Sequence, residues 1–249
     1  MLSGFLTKII QKPLFIVIEG NSGIGKSTTS AILSQMLNTE WFGEYTDFIN
    51  LSAGEAIPQF PPLSEEEVLM TNPIWPRIDL RREFCRLKKS HISSNIQIID
   101  TSPISVLGFE FAKAVQGLPH GIQDLAIRYQ KLYMGKHLVE PNGWIFLDAS
   151  TETNINRIID RGGTHEFLFR KSTIELMRKF RRLFAHTYLD HSHYIFICND
   201  SLSPEETCLI ALDFLKNLPV KPSTGMIKFF TELSIESRKV NQIIELIQI

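Results

Sequence analysis

The sequence predicts an α/β protein, a three-layer sandwich in which a parallel β-sheet carries helices on both faces. Two observations lead there. The runs Leu14–Ile18, Ile96–Asp100, Trp144–Asp148 and Tyr194–Cys198 are almost continuously apolar, as strands buried on both faces must be. Between them lie segments whose apolar residues recur at helical spacing, and strands that alternate with helices build parallel βαβ units. The 249 residues suffice for one large domain, or for one domain with an appendage.

Taken in order, Leu14–Ile18 is a buried strand that runs into the glycine-rich stretch Gly20–Ser27. Ala31, Ile32, Leu33, Met36 and Leu37 then gather on one side of a helix. Residues 40–76 carry weaker signals. Phe48–Leu51 reads as a short strand, Ile57–Leu63 is broken by prolines, and Ser64 caps a helix over Glu65–Met70. Arg77–Ile92 is helical with Ile78, Phe84 and Leu87 as its stripe. After the strand Ile96–Asp100 come helices over Ile104–Val115 and Ile122–Leu138. Trp144–Asp148 is a strand whose following helix, capped by Ser150 or Thr151, reaches Ile159. Thr173–Tyr188 is a long helix with Met177, Phe180 and Phe184 on one face, and Arg178, Lys179, Arg181 and Arg182 read as its solvated side. Tyr194–Cys198 is the last strand, with Cys198 a small core residue, and Pro204–Leu218 the last helix of a domain spanning 1–217. Residues 218–249 form a linker, Lys221–Gly225, and a helical extension with Phe229, Phe230, Leu233, Val240, Ile243, Ile244 and Ile247. That extension is expected to pack back on its own domain; a homodimer or partner helix is the alternative.

Composition narrows the function classes. A formal net charge of −1 excludes a uniformly basic, DNA-coating protein, and no basic face is interleaved with aromatics, so no nucleic-acid polymer is expected as partner. Cys85, Cys198 and Cys208 lack metal-ligand spacing. His186, His191 and His193 have neither Cys nor carboxylate support and read as structural. No apolar run approaches the roughly 18 residues of a membrane span, and the start of the chain lacks secretory-signal features. The expectation is a cytoplasmic protein without membrane contact.

The chemistry concentrates in Gly20-Asn-Ser-Gly-Ile-Gly-Lys-Ser27, followed by Thr28. Set between a strand and a helix, this is a P-loop. Its successive N–H groups form an anion-binding concavity, and glycines allow close approach of the backbone to phosphates. Gly20, Asn21, Ser22, Gly23, Ile24, Gly25, Ser27 and Thr28 are therefore expected to bind the phosphates of ATP. Lys26 would reach the outer phosphates and Ser27 would ligate Mg²⁺. Asp100, ending an apolar strand, is the matching acid for Mg²⁺. Arg157 and Arg161 share one helix face, Gly162-Gly163 follows as a hinge, and Arg170 lies beyond. Guanidinium groups on a mobile flap suit the spread charge of a phosphoryl group in transfer.

With these motifs the chain resembles the thymidylate kinase and deoxynucleoside kinase group over residues 14–217. Ile16-Val-Ile-Glu-Gly20 with Gly25-Lys-Ser-Thr28 is similar to the opening of both branches, Glu19 included. Asp100-Thr-Ser-Pro-Ile-Ser105 is similar to the motif closing their third strand, and Phe109-Glu-Phe-Ala-Lys113 to deoxynucleoside kinases. Pro141–Asp148 and Arg157-Ile-Ile-Asp-Arg-Gly162 are similar to the fourth strand and lid entry of thymidylate kinases. The resemblance implies a five-stranded parallel sheet with the P-loop strand central. It implies ATP as donor, Mg²⁺ as cofactor, and a nucleotide or nucleoside as acceptor, with thymidylate kinase-like transfer first and deoxynucleoside kinase as alternative. Lys26, Asp100 and Arg161 would be catalytic. The chain departs at Thr101, where the family has an arginine; Arg77, Arg81 or Arg82 would then serve the acceptor. No acceptor motif follows the second strand, where Glu44, Asp47 and Glu55 are the available acids. These departures leave a third reading, an ATP-binding regulator with little kinase activity.

Overall fold

The computed structural model describes residues 14–49, 62–90, 96–162, 167 and 170–248. Its centre is a sheet of five parallel strands: β1 (Leu14–Glu19), β2 (Trp41–Phe42), β3 (Ile96–Asp100), β4 (Gly143–Asp148) and β5 (Tyr194–Cys198). They lie in the order β2-β3-β1-β4-β5, so the strand feeding the P-loop is central. All four pairings are parallel, with Ile18 beside Asp100 and also beside Ile145. The carboxyl ends of β1, β3 and β4 therefore form a common rim, as the parallel hydrogen-bond ladder requires.

Alternate residues of each strand feed two separate cores. Leu14, Ile16 and Ile18 meet Ile98, Ile145 and Ile197 on one face, under α1 (Lys26–Leu37) and, near the end of the chain, a helix over Pro204–Asn217. Val17, Ile99, Trp144 and Phe146 point to the other face. That face is covered in turn by α3 (Ile74–Ser90), which α2 (Glu65–Thr71) precedes and contacts, α4 (Pro103–Val115), α5 (Ile122–Met134) and α7 (Lys171–Tyr188); α6 (Thr151–Asp160) crosses the P-loop rim. The Pro204–Asn217 helix is α8, and the chain closes with α9 (Gly225–Ile235) and α10 (Ser237–Gln248). Ser64 and Ser150 cap their helices as the sequence suggests; Ser203 caps the Pro204–Asn217 helix, and Ser64 and Ser203 form full capping boxes.

The structure corrects four expectations. The second strand is not Phe48–Leu51 but Trp41–Phe42. Tyr45–Phe48 is a 3₁₀ turn, held where Arg81 donates to the Phe48 carbonyl at 2.9 Å, and Leu51 lies outside the described residues. The stripe on α3 holds only at Ile78, which is buried: Phe84 and Leu87 are exposed, while Asp79, Arg82, Glu83 and Arg86 are buried beside Ile74 and Ile78. Mutual pairing makes this polar burial tolerable, with Arg82 on Asp79 at 3.1 Å and Arg86 on Glu83 at 2.6 Å. Cys198 is exposed, with its thiol 3.3 Å from Asp200, and Cys208 is the buried cysteine. Arg181, assigned to a solvated face, is buried. The Ile57–Leu63 segment falls mostly outside the described residues, as does Glu55.

The terminal helices join the larger core. Phe230 stacks on Tyr129 and Tyr133 at 5.1 and 5.7 Å, and Phe229 packs on Phe184 and Tyr188. Val240, Ile243 and Ile247 complete the same cluster. Among the described residues no helix is long and apolar enough to cross a membrane.

Candidate active site

The P-loop leaves β1 at Glu19 and enters α1 at Lys26. Gly23 has φ +76, and a Cβ there would lie 2.6 Å from the Ile158 side chain of α6. Only glycine lets α6 cross the loop this closely. Asn154 on α6 donates to the Ser22 carbonyl. Arg157, half-buried, donates to the Ile24 carbonyl and, at 3.0 Å, to both the side chain and carbonyl of Asn199. Asn199 in turn donates to Ile24 at 2.8 Å. The described hydrogen bonds of Arg157 therefore support the loop from behind. Arg161 is exposed at the end of α6, where Gly162 follows at φ +67, and Arg170 is exposed at the start of α7. Residues 163–166, 168 and 169, Gly163 among them, lie outside the described residues.

On the rim, Ser27 donates to Asp100 at 2.7 Å. Burial raises the Asp100 carboxyl above its usual range, and Lys26 and the Ser27 hydroxyl oppose that shift. A hydroxyl from the first turn of α1 and a carboxylate oxygen from the end of β3, adjacent in space, are the hard donors that Mg²⁺ selects, so the residues fit that ion. Lys26 rests 3.2 Å from the Asn21 carbonyl and 3.4 Å from Glu44. Glu44 comes from the turn after β2 and is 46% exposed, so its carboxylate faces the open rim.

Thr101 adopts φ +73, a left-handed conformation that is costly for a β-branched residue. Three contacts impose it. Its N–H donates to the Ile18 carbonyl at 3.0 Å, and Arg82 donates to the carbonyls of both Asp100 and Thr101. The buried Asp79 beneath accepts from Tyr45, Arg82 and Tyr129. Of the three arginines expected at an acceptor, Arg82 thus anchors the end of β3, Arg81 holds the turn after β2, and Arg77 is exposed on α3.

Sequence reasoning gave no site role to two buried groups, Glu19 and Arg181. Glu19 accepts from the Ser102 N–H (2.8 Å), the Ser102 hydroxyl (2.6 Å) and the Ser105 hydroxyl (2.5 Å), joining β1 to the start of α4. Arg181 lies 3.5 Å from Glu19 and donates to the Gly20 carbonyl. Spacing held the clue to Arg181, which follows Met177 by four positions and precedes Phe184 by three, on the apolar stripe.

A central-strand P-loop, an acid at the end of the neighbouring strand and the order β2-β3-β1-β4-β5 together define the P-loop nucleoside and nucleotide kinase fold. Solved structures that share it include a deoxyadenosine kinase from M. mycoides with dCMP and dCDP bound. It is 21% identical, with a TM-score of 0.60 over 81% of this chain and 98% of its own. The same enzyme with bound dATP aligns at a TM-score of 0.54, 21% identical, over 80% of this chain and 98% of its own. A thymidylate kinase from Candida albicans aligns at 0.55, 14% identical, over 85% of this chain and 97% of its own. No known family profile and no curated protein sequence matches the chain.

Proposed function

We propose that this protein transfers the γ-phosphoryl group of ATP to the hydroxyl of a nucleoside-like acceptor. The observation that carries this reading is the convergence of Lys26, Ser27, Asp100 and Glu44 on one rim of the sheet. The loop's N–H groups and Lys26 would hold the β- and γ-phosphates. Mg²⁺, held by Ser27 and Asp100, would neutralise charge on the phosphate oxygens. Glu44 would accept the proton of the acceptor hydroxyl as its oxygen bonds to the γ-phosphorus. The bond from that phosphorus to the β,γ-bridging oxygen breaks, and ADP leaves with the electron pair. Arg161 would meet the transferring group from the end of α6.

Glu44 is also what favours a nucleoside over a nucleoside monophosphate. A carboxylate beside the γ-phosphate position suits a neutral hydroxyl and repels an acceptor phosphate. Arg81 and Arg82, which could offset that repulsion, already hold backbone carbonyls. Support for the class comes from the solved kinases of the same fold, one of them with bound dATP. A coupled ADP-release assay with ATP, Mg²⁺ and a panel of nucleosides and monophosphates tests the reading. Turnover with a nucleoside is expected. Turnover confined to monophosphates would transfer the chain to the thymidylate kinase-like reading, and no turnover in protein that binds ATP would leave the non-catalytic regulator.

A further inference from the structure

We propose that Arg181 is a positioning residue for the P-loop, holding the Gly20–Asn21 turn so that the loop's N–H groups and Lys26 meet a nucleotide's phosphates. The inference rests on the phosphoryl-transfer reading above and adds to it a residue of α7 with no place in the P-loop motif.

Arg181 is 4% exposed. Burying a guanidinium is costly unless its donors are used, and a plain counter-ion role would set two of its nitrogens against the carboxylate at hydrogen-bond distance. The geometry differs. Nε lies 3.5 Å from Glu19, and Glu19 already accepts from Ser102 and Ser105. The two terminal nitrogens go to the loop instead: Nη1 to Asn21 Oδ1 at 2.5 Å, and Nη2 to the Gly20 carbonyl at 3.0 Å and the Ser105 hydroxyl at 3.4 Å. Asn21 Nδ2 donates to the Ile174 carbonyl at 3.1 Å, so α7 grips both ends of that amide. The carbonyl of the same Asn21 is where Lys26 rests, at 3.2 Å. A line of contacts therefore runs from α7 through Asn21 to the phosphate-binding lysine.

The fork of arginine, not its charge, is the operative feature, and this makes the proposal separable from a structural role. Arg181→Lys keeps a cation beside Glu19 but cannot span Gly20 and Asn21 together. R181K is expected to stay folded and melt a few degrees lower, and to bind ATP with Mg²⁺ about 10- to 100-fold more weakly, the size of one lost charge-assisted hydrogen bond. The KM for ATP should rise while that for the acceptor holds. Asn21→Ala, which leaves the Glu19–Arg181 pair intact, should weaken ATP in the same way. Wild-type ATP affinity in either variant overturns the proposal. Glycine amide resonances of nucleotide-free protein supply a readout independent of ATP. Those of Gly20 and Gly23 are expected to shift in R181K, and unchanged resonances overturn the positioning role. Should the wild-type chain bind no ATP, the proposed function falls, and the resonance comparison alone decides the role of Arg181.

Discussion

At the level of single residues, the rim divides into groups that motifs reveal and groups that only packing reveals. Lys26, Ser27 and Asp100 are legible because a glycine loop and an acid-ended apolar strand carry local patterns. Glu44 carries none. Its position follows from a β2 of just two residues, too short to show a period, and from the pairing of that strand beside β3. Its assigned role predicts that Glu44→Gln lowers kcat roughly 100-fold or more, the usual share of a general base, with ATP affinity within a few-fold of wild type. Steady-state kinetics beside an ATP titration checks both halves. A fall in ATP affinity with kcat preserved would make Glu44 a partner of Lys26 and nothing more. Arg181 and Arg82 were hidden for another reason. Arginine reads as surface by default, and their burial depends on partners far away in sequence, Glu19 and Asn21 for one and the end of β3 for the other.

Among the elements, β1, β3 and β4 could be read almost to the residue because each is buried on both faces, and the edge strand β5 because its run is still almost wholly apolar. Helix α3 could not, since its inward face is built of charged pairs, and periodicity of apolar residues then indicates the wrong side. The terminal helices are instructive in energetic terms. Phe230 is fully buried between Tyr129 and Tyr133, so Phe230→Ala is expected to cost about 3–5 kcal/mol, measurable by denaturant unfolding. The start of α9 is held by Glu140, which accepts from Ile227 N–H at 2.6 Å and Met226 N–H at 3.2 Å. Burial pushes the Glu140 carboxyl up to about 7, outweighing these donors, which favour its ionised form. A carboxyl raised on folding contributes stability that is complete below its unfolded value near 4.5 and lost as pH rises through 7. The wild-type chain should therefore lose on the order of 1–3 kcal/mol from this group between pH 5 and 8. Glu140→Gln should flatten that part of the profile, and equal slopes in the two proteins would show that Glu140 does not titrate in this range.

For the molecule as a whole, nucleotide binding is linked to stability. A ligand held only by the folded chain stabilises it by about 4 kcal/mol at a thousandfold excess over its Kd, some 8–16 °C in a protein of this size. ATP with Mg²⁺ is predicted to raise the melting temperature by that order. Adding a chelator should remove most of the rise, because Ser27 and Asp100 then have no ion to share with the phosphates. An unchanged shift would mean that the two do not hold the metal. The packing of α9 and α10 has a further consequence, for how the chain comes to be made. The aromatic wall of α5 and α7 receives its cover from Phe229, Phe230, Val240, Ile243 and Ile247. During synthesis that wall stays bare until those residues have left the ribosome. The sheet and the phosphate loop can assemble on the nascent chain, but the larger core closes last, and until then its tyrosines and phenylalanines are a surface for chaperones to shield.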